Sequence, residues 1–230
     1  MIKKILLLTF SIISINLFAQ KAVTKNTTTK ERLVEISTDY GVMIVRLYNE
    51  TPLHRDNFIK LVQQGFYDSL LFHRVIKGFM IQGGDPTSKH ADSLAMLGDG
   101  SAPGNERIPA EFRNNFFHKK GALAAARDGN PEKASSNCQF YLVQGKKMDS
   151  AQLNQVYEQR IKPNAPNFVY SKQQKEIYER IGGTPFLDQN YTVFGEVISS
   201  LNVIDKIANV QTRTMDRPTK DVRMKIRMLN

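Results

Sequence analysis

The run Phe72-His73-Arg74-Val75-Ile76-Lys77-Gly78-Phe79-Met80-Ile81-Gln82-Gly83-Gly84-Asp85 decides how this chain is read. From Arg74 to Gln82 it sets one arginine, two large apolar side chains (Phe79 and Met80) and one amide. No nucleophile stands beside a base, and no metal-ligand spacing occurs. Such a set suits a reaction without a covalent step, in which an uncharged bond is gripped and twisted. Leu71 to Met80 reads as two short strands around Gly78.

Upstream, Leu33 to Thr38 and Val42 to Leu47 read as two strands joined by a turn at Asp39-Tyr40-Gly41. Thr51-Pro52 predicts a helix start, with Thr51 as cap and Pro52 in the first position. Phe58, Leu61 and Val62 form one face of that helix, and Gly65 stops it. Downstream, residues 86–110 read as a long surface loop; its glycines lack the GK[ST] ending of a phosphate loop. Ala122 to Ala126, Gln139 to Val143 and Thr192 to Val197 read as strands, and Asn202 to Ile207 as a short helix. Val222, Met224, Ile226 and Met228 alternate with Arg223, Lys225 and Arg227, a strand with one buried and one basic face. Many short strands, two helices and no βαβ alternation predict an all-β fold, a closed antiparallel barrel.

Two further runs extend the first. Gly121-Ala122-Leu123-Ala124-Ala125-Ala126-Arg127 is followed by Cys138-Gln139-Phe140-Tyr141-Leu142, and then comes Phe186-Leu187-Asp188-Gln189-Asn190-Tyr191-Thr192-Val193-Phe194-Gly195-Glu196-Val197. In this order the three runs resemble the cyclophilin family of peptidyl-prolyl cis/trans isomerases, from about Val34 to Leu229 apart from one insertion. The resemblance implies a closed eight-stranded barrel with a helix at each end. It implies catalysis of X-Pro rotation, with Arg74 as the catalytic donor and Gln82 holding a substrate carbonyl or orienting Arg74. It makes Phe79, Met80 and Tyr141 the wall of a proline pocket, with Leu187 as its floor and Phe186 and Tyr191 as its rim. The Arg127 backbone would bind the residue before proline, and Gln139 counts among the substrate-binding positions.

Four positions depart from the best-known members. Tyr141 replaces a usual phenylalanine and adds a hydroxyl that needs a partner. Phe186 stands where many have tryptophan, Tyr191 where they often have histidine, and Arg127 where asparagine is frequent. The resemblance therefore implies weak cyclosporin binding.

The chemistry fits an arginine. Rotating a peptide bond costs roughly 18–20 kcal/mol because amide resonance is broken, and X-Pro exchange is slow. At the twisted midpoint the nitrogen regains a lone pair, so a donor aimed at it binds the transition state differentially. A guanidinium offers several rigidly placed donors. His73 and Phe140 read as packed residues, and Cys138 as a small buried side chain. The histidines at 54, 73, 90 and 118 show no metal spacing, so no metal and no cofactor are expected.

The segment from about 145 to 182 exceeds what the family spans there. Leu153, Val156 and Tyr157 form one apolar stripe; Ser171 and Gln174 start a second helix carrying Ile177, Tyr178 and Ile181; Pro163 and Pro166 separate the two. A helical hairpin outside the barrel beside the active-site rim is predicted, tuning client choice rather than chemistry.

The chain has 230 residues with 41% hydrophobic and 23% charged content, an ordinary globular composition. Its net charge of +10 is scattered, without a like-charge block, so nucleic-acid binding is not expected. Residues 1–19 read as a signal peptide: Lys3 and Lys4, an apolar run from Ile5 to Phe18, then Ala19 before the cut. That run is too short for the ~20 residues of a bilayer span, so stable membrane insertion is not expected. Residues 20–31 read as a flexible leader and 32–230 as the isomerase domain. The expected site of action is periplasmic or secreted, on proline-containing peptides and unfolded or partly folded exported proteins. The other function class open to these residues is a non-catalytic chaperone or scaffold that binds proline-containing segments; an intact Arg74 favours the catalyst.

Overall fold

The structure is a computed structural model that describes residues 31–229 apart from Asn105. The expected signal peptide and all but the last residue of the expected leader lie outside the described residues.

The chain opens with a hairpin, β1 (Arg32–Thr38) and β2 (Gly41–Leu47), in register from Arg32↔Leu47 to Thr38↔Gly41. Alternation turns Val34, Ile36, Met43, Val45 and Leu47 into the core. Helix α1 (Pro52–Gln63) follows and buries Phe58, Ile59, Leu61 and Val62. Thr51 does not cap it with its side chain, contrary to expectation. Its hydroxyl donates to Tyr48 O at 3.4 Å, and the carboxylate of Glu111 takes the helix N-terminus instead, accepting from the backbone of Leu53 (3.1 Å) and His54 (3.0 Å). An anion from a distant loop thus satisfies the first-turn donors.

Strands β3 (Arg74–Ile76), β4 (Met80–Gly83), β5 (Ala122–Ala125), β6 (Phe140–Val143), β7 (Val193–Ser199) and β8 (Met224–Met228) complete one antiparallel sheet in the order β3-β4-β6-β5-β7-β2-β1-β8. This corrects the expected closed barrel: the sheet is curled but open, with β3 and β8 as its edges. Three-residue β3 ends too early to reach β8. The non-strand segment before it crosses the seam, through Ser69 N to Met224 O, Phe72 N to Val222 O and Met224 N to Leu70 O, each 2.9 Å.

Both faces of the middle strands are covered. Ile81, Leu123, Ala125, Phe140 and Leu142 point into the main core with α1, while Met80, Ala122, Ala124, Tyr141 and Val143 form a second cluster on the other face. This explains the unbroken apolar runs of β5 and β6. A fourth-position helix in the chain, Asn202–Ala208, buries Val203, Ile204, Ile207 and Ala208 in the same main core.

Between β6 and β7 the chain makes its long excursion. Helix α2 (Ser150–Val156) runs on as a π-helical turn over Tyr157–Ile161, and α3 (Lys172–Arg180) follows. Both helices start with full capping boxes, Asp149 with Gln152 and Ser171 with Gln174. Leu153, Ile161, Phe168, Tyr170 and Tyr178 bury together against Phe117 of the sheet domain. The excursion is pinched at its neck, where Lys146 and Gly183 exchange backbone hydrogen bonds at 3.2 and 3.1 Å. Gly183 is required there, since a Cβ would collide with His118 O and the Tyr178 ring. Among the described residues no helix is long and apolar enough to cross a membrane.

Candidate active site

Strand register places the key side chains in one transverse row. Arg74 pairs with Gln82 across β3–β4, Gln82 with Tyr141 across β4–β6, and Tyr141 with Ala124 across β5–β6. Residues directly opposite in a sheet share a face, so residues up to 67 positions apart meet on one surface because the pairing is antiparallel and the period is two. Gly78, at φ +76°, turns the chain so that Phe79 and Met80 join them.

The row lines a pocket of about 160 Å³ bounded by Arg74, Phe79, Met80, Gln82, Ala126, Arg127, Tyr141, Leu187 and Tyr191. Eight of the ten residues singled out from the sequence therefore converge; Ala126 was not among them. Gln139 lies beside this pocket in a neighbouring groove with the Gly98–Gly100 loop, donating to Gly98 O (2.7 Å) and Gly100 O (2.9 Å). Phe186 stands at the rim, its ring 5.6 Å from that of Phe79 and 39% exposed.

Arg74 is at the mouth, with its side chain 43% exposed and its Nε 3.4 Å from Asp216 Oδ2. Asp216 and Met215 both adopt positive φ (+59° and +61°), so the loop that presents this carboxylate is locally strained. Gln82 donates to Gln139 Oε1 at 3.2 Å. The Arg127 side chain is committed to the wall: Nε donates to Asn190 O at 2.8 Å, and the guanidinium lies 4.7 Å from the Tyr191 ring centroid. No backbone hydrogen bond joins the Arg127 main chain to another described residue, which leaves that edge open to an extended peptide.

The hydroxyl of Tyr141 finds its partner in His118, whose Nε2 lies 2.9 Å away. His118 Nδ1 lies 2.7 Å from Asp188 Oδ1, which also accepts from the His118 backbone at 2.8 Å. Asp188 Oδ2 accepts from Tyr170 and Tyr178, each at 2.6 Å. Which of the two atoms donates follows from the imidazole tautomer. Burial, with Tyr191 and the Asp188 charge nearby, holds the Tyr141 phenol well above its ordinary range. These groups serve structure rather than acid–base work. Sequence reasoning missed His118, Asp188, Tyr170 and Tyr178. The one signal was the unexplained Tyr141 hydroxyl, which announced a buried partner.

His73 and Phe140 are buried, as their packed reading has it. Cys138 is also buried, and burial pushes its thiol up to about 11. Among the described residues no cluster of histidine, cysteine and acidic side chains could hold a metal ion.

Residues 33–227 match the family model described as cyclophilin type peptidyl-prolyl cis-trans isomerase/CLD. A Staphylococcus aureus (strain USA300) protein described as "Putative peptidyl-prolyl cis-trans isomerase" is 34% identical over 190 residues, covering 82% of this chain and 87% of that one. A Streptococcus pyogenes serotype M6 protein described as "Putative bifunctional phosphatase/peptidyl-prolyl cis-trans isomerase" is 34% identical over 192 residues; the match covers 82% of this chain but only 37% of that longer protein. A cyclophilin type peptidyl-prolyl cis-trans isomerase from Cryptosporidium parvum shares the fold, with a TM-score of 0.62 at 23% identity over 87% of this chain and 98% of that one. A second structure of that protein, determined in the presence of the dipeptide Ala-Pro, gives 0.60 at 23% identity over 86% and 99%.

Proposed function

The chain belongs to the cyclophilin-type peptidyl-prolyl cis-trans isomerases, and on that premise we propose that it accelerates X-Pro rotation non-covalently, with Arg74 stabilising the twisted amide. The observation that carries this reading is the shared face of Arg74, Gln82 and Tyr141 around one pocket of about 160 Å³. Met80, Phe79, Leu187 and the Tyr141 ring hold the proline ring in apolar surroundings. The half-exposed guanidinium donates to the imide nitrogen only when that nitrogen turns pyramidal, so the gain falls on the transition state. Asp216, bound to Nε, orients the guanidinium and leaves its terminal nitrogens for substrate. Gln82 and the open Arg127 main chain fix the residues on the proline's N-terminal side.

The clients in this reading are proline-containing segments of unfolded or partly folded exported proteins. Support comes from the charged, apolar and small-residue pattern of residues 1–19; in this reading the mature protein acts in the periplasm or outside the cell. N-terminal sequencing of the protein from its native cells should begin near Gln20; a start at Met1 or Ile2 refutes cleavage.

The isomerase reading is tested by tetrapeptide exchange with wild type beside Arg74→Ala. Loss of one charge-assisted hydrogen bond in the transition state, about 1.5–3 kcal/mol, should lower kcat/KM roughly ten- to hundredfold with an unchanged circular dichroism spectrum. Equal turnover in the two proteins defeats the assignment of Arg74. No turnover in wild type favours the non-catalytic chaperone.

A further inference from the structure

We propose that the excursion between β6 and β7 builds an accessory subsite that selects clients with acidic residues shortly after the proline. This rests on the isomerase reading and adds a substrate class to it. A groove of about 610 Å³ lies between α2 and the rim. Its lining combines apolar Met148, Val156 and Phe186 with Lys146, Lys147 and Arg160, and with Gln152, Gln155 and Gln159. No carboxylate lines it, and among the described residues no ion pair neutralises any of these three cations.

The groove is continuous with the pocket at two points. The Phe186 ring rests near Phe79, and the aliphatic stem of Lys146 lies over Gly78, the turn that presents Phe79. A chain whose pre-proline residue lies on the Arg127 main chain crosses the pocket toward Phe186, so its next residues enter this groove. The groove on the Arg127 side differs in charge: it sets Asp99, Glu106 and Asp128 against Arg107 and Arg127, with Asp128 paired to Arg107. The downstream groove is therefore the more cationic of the two. Its lining matches an extended segment that alternates apolar and acidic residues. A strand rises about 3.3 Å per residue, so a handful of residues spans the distance from the pocket to α2.

The test uses the whole protein and fluorescent peptides with a common Ala-Pro core, extended after proline by five residues that are acidic, neutral or basic. Binding is read by polarisation and exchange by NMR. An exposed ion pair is individually weak, so three together should give the acidic peptide about a three- to tenfold lower Kd than the neutral one, declining with salt. Lys146→Glu/Lys147→Glu/Arg160→Glu should reverse the order in favour of the basic peptide. All three positions are exposed; if the triple variant unfolds, Lys147→Glu and Arg160→Glu singly must each shrink the preference. Equal affinity for acidic and neutral peptides, or a preference that survives charge reversal, overturns the subsite. So does an oligonucleotide of equal charge that displaces the acidic peptide as well as unlabelled peptide does, because the patch is then a generic anion surface. Turnover of a short tetrapeptide separates the two readings: its absence in wild type strikes the isomerase reading, whereas loss of charge preference with turnover intact strikes only the subsite.

Discussion

Tyr141 and His118 are joined by a 2.9 Å hydrogen bond that ties the wall of the proline pocket to a buried carboxylate, Asp188, and through it to the excursion's two phenols. The ring of Tyr141 faces the pocket while its hydroxyl faces inward, so one side chain serves both binding and framework.

Tyr141→Phe keeps the ring and deletes the hydroxyl. His118 Nε2 is then left buried without a partner, which costs about 1–3 kcal/mol. Denaturant unfolding should show that loss, while tetrapeptide kcat/KM stays within roughly threefold. A large loss of turnover with unchanged stability would place the hydroxyl in the reaction instead.

The excursion also braces the frame behind the pocket, through Tyr170 and Tyr178 on Asp188. Replacing residues 147–181 with a short Gly/Ser link removes Tyr170 and Tyr178, so Asp188 Oδ2 loses both phenol donors while Oδ1 keeps His118. A hydrogen bond to a charged group contributes about 1.5–3 kcal/mol, so losing two should destabilise the protein. Asp188→Asn should then raise stability in the deletion background and lower it in the full chain. The same sign in both backgrounds would show that the phenols do not carry the charge.

The His73 imidazole is buried. Burial, opposed in part by Asp85 and reinforced by Arg74, pushes its imidazole down to about 4. Its folded pKa is below the unfolded one, near 6.5, so the unfolded chain binds the extra proton. Stability is therefore complete above about pH 6.5 and falls as pH drops toward 4, by roughly 3 kcal/mol from this residue. The difference in unfolding free energy between wild type and His73→Leu should change across that window; a pH-independent difference contradicts the assignment.

Cyclosporin, a competitive probe of the rim by family resemblance, should bind weakly, since Phe186 has no indole N–H to donate. Phe186→Trp should tighten the Kd by roughly tenfold, the equivalent of about 1.4 kcal/mol. An unchanged constant by calorimetry removes Phe186 as the cause.

What was readable from the chain divides along a physical line. Period-two alternation in Val34–Ile36 and Met224–Met228 reports burial of one face, and the helical spacing of Phe58, Leu61 and Val62 reports the other common geometry. The pocket was legible because its side chains sit in three dense runs. Closure of the sheet was not: alternation is identical in a closed barrel and in a curled sheet, and the seam is held by backbone atoms of residues 69–72 that carry no pattern. The cap of α1 was misread for a related reason. Thr51 satisfies the local rule, yet Glu111, 58 positions beyond Leu53, supplies the stronger acceptor. Asp188 and its donors pair single polar atoms across up to 70 positions, and periodicity contains no trace of such a contact.

The pinched neck at Lys146 and Gly183 has a historical consequence. A segment that departs from and returns to nearly the same place can enter a gene by one event, because the surrounding strands need not move to admit it. Leaving is another matter. Once two of its tyrosines solvate an aspartate belonging to the host, excision exposes a debt that no single later change at the neck can cancel. Excision at this junction therefore has to be matched by a change at Asp188 itself, outside the excursion.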